Sequence, residues 1–402
     1  MKKAIILVLM SCGIVTLYAQ DVIQWRNDRT GVYNETGLLK EWDENGAKLL
    51  WHFDGLGDGH SSVAISGNKL YVTGLTGEKG YLYVLDFSGK LLNKKEYSPE
   101  WHGDHRGSRS TVTIHDGKLY IISGMGHIVC MDEQTLKVVW QKDVLKELDG
   151  RNIRWGLTES PLIVEDKVIV QPAGKKHNIV ALNKDNGQLV WSSEGEGSLS
   201  SYCSPIYLKD LQTPQIVTMT ATHILGINAK TGEKVWSYPY ENNRNIHPNT
   251  PVYSDNMLLC TSGYGKGSIM LRLTNGGRNA EKVWETKDLE TKHGGVVKIG
   301  NYVYGSGDAN KYWYCLDWKT GETKYKDRTF GTGVTIAADG MLYCYSESKG
   351  EVALVKPNPE KFDLISKFPI KLGDGHHWAH PVIYQGVMYV RHGNTLMAYK
   401  IN

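Results

Sequence analysis

Short runs of alternating apolar and polar residues recur along the whole chain, divided by Asn-Gly, Asp-Gly and Thr-Gly turns. Alternation over such short lengths predicts half-buried β-strands rather than helices. Val63-Ala64-Ile65 leads through Gly67-Asn68 to Leu70-Tyr71-Val72, and Val112-Thr113-Ile114 leads through Asp116-Gly117 to Leu119-Tyr120-Ile121. Further copies start at Pro161, Pro205, Pro251, Val296, Val334 and Pro381, giving eight starts spaced by about 38 to 49 residues. The second half of each copy repeats as well. Ile179-Val180-Ala181-Leu182 runs into Asn186-Gly187 and Leu189-Val190-Trp191, and Ile224-Leu225-Gly226-Ile227 runs into Thr231-Gly232 and Val235-Trp236. Trp51, Trp140, Trp191, Trp236 and Trp284 close five such strands.

A four-stranded unit repeating every 45 residues or so buries its faces only by stacking on its neighbours. The pattern therefore predicts an all-β fold, an eight-bladed β-propeller of four-stranded antiparallel blades. The last copy, from Pro381 to Ile401, has only three strands, while Ala47-Lys48-Leu49-Leu50-Trp51 reads as an isolated fourth. We expect this N-terminal strand to pair with the last blade and close the ring, removing two open sheet edges. The chain divides into a signal peptide (1–19), an N-terminal arm (20–44) and the propeller (45–402).

Composition agrees with strands. Of 402 residues, Phe contributes 5 while Tyr contributes 23, Trp 12 and Gly 44, which suits half-buried sheet faces and tight turns. Lys2 and Lys3, the apolar run from Ala4 and the Leu17-Tyr18-Ala19 stretch read as a secretory signal, so export to the periplasm or beyond is expected. Leu9-Met10-Ser11-Cys12 also resembles a lipoprotein box, which leaves lipid anchoring as the alternative. No later segment is long and apolar enough to span a bilayer. The formal charge of +3 is near neutral and no basic run occurs, so nucleic acid is not an expected partner. Cys130, Cys203, Cys260, Cys315 and Cys344 are widely spaced, without CxxC, CxxCH or adjacent pairs. That excludes a zinc ribbon, a c-type haem and a dense disulfide framework, and leaves free buried thiols or one inter-blade disulfide.

Gln24-Trp25-Arg26 with Arg29-Thr30-Gly31, Gly37-Leu38-Leu39 to Trp42, and the repeated Leu-Asn/Asp-x-x-x-Gly-x-x-x-Trp endings resemble the pyrroloquinoline-quinone-like (quinoprotein-like) β-propeller repeat proteins. The resemblance covers nearly the whole mature chain. It implies that Trp140, Trp191 and Trp236 dock between blades beside the Gly turns. That family includes quinone-dependent alcohol and sugar dehydrogenases and the outer-membrane assembly scaffold. The resemblance therefore implies two further candidates: pyrroloquinoline quinone as cofactor, and envelope proteins as partners. The dehydrogenases carry adjacent cysteines over the quinone and a calcium site; this sequence has no adjacent cysteines and no compact Asp/Asn cluster.

In a propeller the loops preceding each blade's first strand converge near the axis on one face. Those loops hold His60, His102, His105, Arg106, Arg109, Arg154, Trp155, Tyr202, Arg244, His247, Lys292, His293, His376, His377, Trp378 and His380, while the seventh copy offers little beyond Thr332. Loops on a rigid scaffold concentrate binding residues. The expected ligand site comprises His60, Arg106, Arg109, Arg154, Trp155, Tyr202, His247, His293, His377, Trp378 and His380. Arg forks pair with carboxylate or sulfate, and the aromatics stack on rings, so a polar small molecule, carbohydrate or anion, is the expected ligand. An enzyme at the same place is the alternative, either a quinone-dependent dehydrogenase or a lyase. In the lyase case His60, Tyr202 or His293 would remove a proton beside a neutralised uronate carboxylate. No metal ligand set is assigned: the short spacing His376-His377-x-x-His380 is weak evidence in a loop.

Overall fold

The computed structural model describes residues 21–402; the expected signal peptide and Cys12 lie outside the described residues. Eight antiparallel sheets follow one another along the chain, seven of them ordered in sequence from an inner to an outer strand. We number the blades 1 (64–99), 2 (113–143), 3 (162–193), 4 (206–239), 5 (252–286), 6 (296–327), 7 (333–369) and 8 (382–400 with Lys48–Asp54). Blade 8 is completed by Lys48–Asp54, which pairs antiparallel with Thr395–Lys400 from Lys48 opposite Lys400 to Asp54 opposite Thr395. The ring is thus closed by a strand from the other end of the chain, as the pattern predicts. The seam is also bolted by Arg391 of blade 8, buried at 2% exposure, which donates to the Thr73 carbonyl (2.6 Å) and Ser61 Oγ (2.7 Å) beside blade 1.

The repeat has a physical core. The third strand of a blade ends in Asp or Asn, whose side chain accepts turn amides: Asn183 Oδ1 from Asp185 (2.9 Å), Asp317 Oδ1 from Thr320 (2.8 Å) and Asp132 Oδ1 from Thr135 (2.8 Å). A residue in the left-handed region then reverses the chain. At Gly187 (φ +70°) this position faces the Trp140 ring of the preceding blade so closely that a Cβ would lie 2.6 Å from its Cε3. Trp140 Nε1 donates to the Lys184 carbonyl of the same turn (2.8 Å). Trp51, Trp191 and Trp284 repeat the dock against Phe87, Ala229 and Trp318. Where blade 1 carries Asn93 instead of Trp, the matching turn of blade 2 carries Leu136 instead of Gly, at φ +53° and packed in one cluster with Tyr71, Leu82 and Val84 of blade 1. Trp236 departs from the pattern: its Nε1 donates to Gln215 Oε1 (2.7 Å), and Gln215 Nε2 reaches the blade 5 turn at the Gly277 carbonyl (2.7 Å).

Each outer strand is interrupted by a bulge just before this tryptophan position, at Leu50, Leu92, Val139, Val190, Val235, Val283, Lys324 and Ile365. Five cysteines of the described residues are free and buried.

Residues 22–33 form an axle through the hub. The Val22 and Ile23 carbonyls accept from Ile65 of blade 1 and Ile114 of blade 2 (2.8 Å each). Arg26, Asn27, Asp28 and Arg29 then turn left-handed, with φ of 54°, 42°, 50° and 65°. Such a conformation costs an L-residue about 1–2 kcal/mol. Here it aims two buried guanidinium groups in opposite directions. Arg29 donates to the Pro161 (2.7 Å) and Pro205 (2.9 Å) carbonyls of blades 3 and 4, and Arg26 to those of Val296 (2.9 Å) and Thr335 (3.2 Å) of blades 6 and 7. Trp25 Nε1 donates to Thr250 Oγ1 beside blade 5 (3.0 Å), and Tyr33 to the Pro381 carbonyl beside blade 8 (3.2 Å). Val32–Tyr33 also adds a short parallel fifth strand to blade 7.

Candidate functional site

On one face, the loops entering the blades surround a cavity of about 270 Å³ over this axle. Its floor holds Trp25 and His380, with ring centroids 4.6 Å apart. Arg26 Nη1 donates to His380 Nδ1 (2.7 Å), so the His380 proton sits on Nε2 and is donated to the His293 carbonyl (2.8 Å). Burial and the Arg26 charge hold His380 well below the usual histidine range, so it stays neutral.

The walls alternate imidazole, indole and cation. Trp378 stacks on His376 (centroids 3.9 Å, planes 5° apart) and meets His60 at 4.9 Å and His293 at 5.1 Å. Its Nε1 donates to Glu347 Oε1 (2.7 Å), and Glu347 Oε2 lies 3.5 Å from His293 Nε2. Burial lowers the pKa of His293, against the pull of Glu347. Burial also lowers His60 well below the usual range, helped by Arg109 and Arg391, and neither of its ring nitrogens has a partner. Arg109 completes this wall. Burial lowers its pKa to about 10, so it remains charged. It donates to the His105 carbonyl and lies 5.7 Å from the Trp101 ring, while its Nη1 is buried without a partner. Across the cavity stand Trp155 and Tyr202, with ring centroids 6.0 Å apart. Burial pushes the Tyr202 hydroxyl up to about 12, which makes it a donor rather than a base at neutral pH.

The structure brings together His60, Arg109, Trp155, Tyr202, His293, Trp378 and His380 of the expected residues. Four others point elsewhere. Arg106 pairs with Asp58 (2.7 Å) and donates to the Gly77 carbonyl (2.8 Å) on the outside of the loop. Arg154 opens onto an adjoining groove. His247 is fully buried between Ser262 Oγ (2.8 Å) and the Ala221 carbonyl (3.2 Å), where burial lowers its pKa to about 4. His377 turns behind the wall, shares a hydrogen bond with the Tyr345 hydroxyl (2.6 Å) and stacks on His392 at 3.7 Å. His376, His377 and His380 thus diverge, and no group of three or more His, Cys, Asp or Glu is arranged to hold a metal among the described residues. Trp25, Ile246 and Tyr264 line the cavity without having been expected there. The Gln24-Trp25-Arg26 motif was the one available signal for the floor, but nothing local in it says that the arm enters the hub.

The model of the family described as outer membrane protein assembly factor BamB matches residues 78–327. The chain belongs to that family. This BamB-family chain is 25% identical to an uncharacterised protein of Rickettsia conorii over 53% of its own length and 50% of that protein. It is 24% identical to the lanthanide-dependent methanol dehydrogenase of Methylacidiphilum fumariolicum over 44% of its length and 30% of the enzyme. It is 26% identical to BamB of Shewanella oneidensis over 33% and 32% of the two chains. These matches span half or less of the relatives' own lengths. Among solved structures, BamB from Moraxella catarrhalis superposes with a TM-score of 0.65 at 15% identity, covering 88% of this chain and all of that one. The quinohemoprotein alcohol dehydrogenase of Comamonas testosteroni superposes at 0.69 and 13% identity, covering 94% and 80%. Such likenesses establish the propeller and its quinoprotein-like repeats.

The residues present do not fit a quinone–metal centre of the dehydrogenase kind. None of the described cysteines lines the cavity, and no carboxylate does; Glu347 stands behind Trp378 and is bonded to it.

Proposed function

We propose that this chain is an exported BamB-family propeller that binds a small anionic ligand with a ring face, a sugar acid or sulfated sugar, in the axial cavity. One observation carries the reading: Arg109 Nη1 and both nitrogens of His60 are buried without partners in the wall of an aromatic-lined cavity. Unpaired buried polar groups cost about 1–3 kcal/mol each; an incoming carboxylate or sulfate recovers that cost at Arg109 Nη1 and at the protonated nitrogen of His60, and a ligand hydroxyl can donate to the other nitrogen. With His60, His293 and His380 neutral, Arg109 and Lys292 are the fixed positive charges of the lining. Calorimetry of the full chain with glucuronate, galacturonate and galactose sulfate tests it. Binding should weaken at least tenfold in Arg109→Gln, the loss expected for one charge-assisted bond of about 1.5 kcal/mol or more. Equal affinity in wild type and variant would refute the site.

An assembly-scaffold reading is favoured by the outer wall. Leu50, Leu92, Val139 and Val190 stand 44–46% exposed at the bulges of four consecutive blades. On this reading the partner is an envelope protein in outer-membrane protein assembly. Replacing Leu92 and Val139 by Ser should then abolish its co-purification without changing ligand binding in the axial cavity.

A further inference from the structure

The axial cavity continues into a wider groove of about 520 Å³ above blades 3 to 5, and the two share Trp155, Tyr202, Ile246, Tyr264 and Lys292. We infer that this groove is a second anion subsite, so that the ligand is an elongated acidic oligosaccharide whose first acidic unit enters the cavity and whose next lies between Arg154 and Arg244. The inference rests on the axial reading and adds to it the length and charge of the ligand.

Three features of the groove point the same way. Its lining contains Arg154, Arg244 and Lys292 and no Asp or Glu among the described residues. Lys292 has only a long pairing with Asp308 (3.8 Å). Two of the cations ride on aromatic faces: the Arg154 guanidinium lies 5.2 Å from the Trp155 ring and Lys292 Nζ 5.3 Å from that of Tyr264. Stacking of this kind holds a guanidinium plane in place while leaving its N–H fork free for a carboxylate. Ser200, which also lines the groove, is buried at 4% exposure with a hydroxyl that has no partner. Buried hydroxyls are normally satisfied, so this one marks a place for a ligand acceptor or donor. The shared wall of Trp155, Tyr202 and Tyr264 gives consecutive sugar rings apolar faces to lie on, and the cations on either side match a carboxylate on each ring.

Calorimetry of the full chain at low salt tests this with galacturonate, digalacturonate, trigalacturonate and uncharged maltotriose. The proteins are wild type, Arg109→Gln and the double variant Arg154→Gln/Arg244→Gln. Both groove arginines are exposed, so the double variant should melt as wild type does. Trigalacturonate should bind about tenfold or more tightly than galacturonate, as expected for one added charge-assisted contact. The double variant should lose that gain and still bind the monomer as wild type does, whereas Arg109→Gln should weaken every acid. Maltotriose should bind far more weakly than trigalacturonate. If trimer and monomer bind equally, or the double variant keeps the gain, or maltotriose matches the trimer, the subsite is overturned while the axial reading stands. If no acid binds, monomer included, both are overturned.

Discussion

The pairing of Trp with Gly in successive blades, and of Asn93 with Leu136 where both are missing, predicts a coupled substitution. Trp140→Asn alone removes a buried indole, 8% exposed, together with its 2.8 Å bond to the Lys184 carbonyl. Emptying a buried tryptophan site costs about 3–5 kcal/mol. Gly187→Leu alone places a side chain at φ +70° with its Cβ 2.6 Å from Trp140 Cε3. The backbone conformation costs about 1–2 kcal/mol, and the ring must also move. In the double variant the leucine enters the space the indole left, as Leu136 does in blade 2, and its burial returns about 1.5–3 kcal/mol. The two losses should therefore fall short of additivity by about 2 kcal/mol or more. Urea unfolding of the four proteins, followed by tryptophan fluorescence and checked by calorimetry, measures the cycle. Costs that add to within about 0.5 kcal/mol would show that the two positions do not share one space.

Further outcomes follow from the closure, from a buried acid and from the hub. Deleting residues 45–51 removes most of the strand that completes blade 8 and should sharply lower the melting temperature; an unchanged melt would mean that blade 8 is held without it. Glu159 is 1% exposed, and burial raises its pKa from 4.5 to about 7 despite the Gln171 amide bond (2.7 Å) and the nearby Arg29. The folded state then holds this proton more tightly than the unfolded state. Stability is lost as pH rises from about 4.5 to 7, by about 3 kcal/mol, and is level above that. Glu159→Gln should remove this decline, so the variant-minus-wild-type stability should grow between pH 4.5 and 8; parallel pH curves would contradict it. Arg29→Met should destabilise the protein by several kcal/mol, because the Ser160 and Pro205 carbonyls lose their donor and the Pro161 carbonyl keeps only Thr113 Oγ1 (2.7 Å), whereas Arg29→Lys should recover only part.

The fold was legible because its information is local and repeated. Asx-turn residues, a left-handed position and a closing tryptophan recur at fixed offsets, and each fixes its own hairpin. Convergence of the blade-entry loops followed from closed geometry, which is why His60, Arg109 and His293 meet although they are far apart in sequence. Direction was not legible. His247 occupies the same kind of loop as His60, yet its ring finds Ser262 and Ala221 and turns inward, and Arg106 finds Asp58 outside. These outcomes depend on partners in other segments. Trp25, Arg26 and Arg29 were equally hidden, because the left-handed turn that aims the two arginines is held largely by carbonyls of distant blades and by His380, while its few local bonds, such as Asn27 to the Val32 carbonyl (2.6 Å), do not announce it in the sequence. Arg391, a cation in a strand that reads as apolar, was missed for the same reason.

The axle also sets an order of events. Residues 22–33 come before every blade in the chain, yet their acceptors are supplied by blades as late as the eighth. Its full set of partners is present only once blade 8 is in place. Arg29 finds its carbonyls beside blades 3 and 4, Arg26 at blades 6 and 7 and Tyr33 beside blade 8, so the full set of acceptors exists only in the completed ring. A chain lacking its last blades is therefore expected to leave residues 22–33 with unmatched donors and more open to proteolysis than the complete ring.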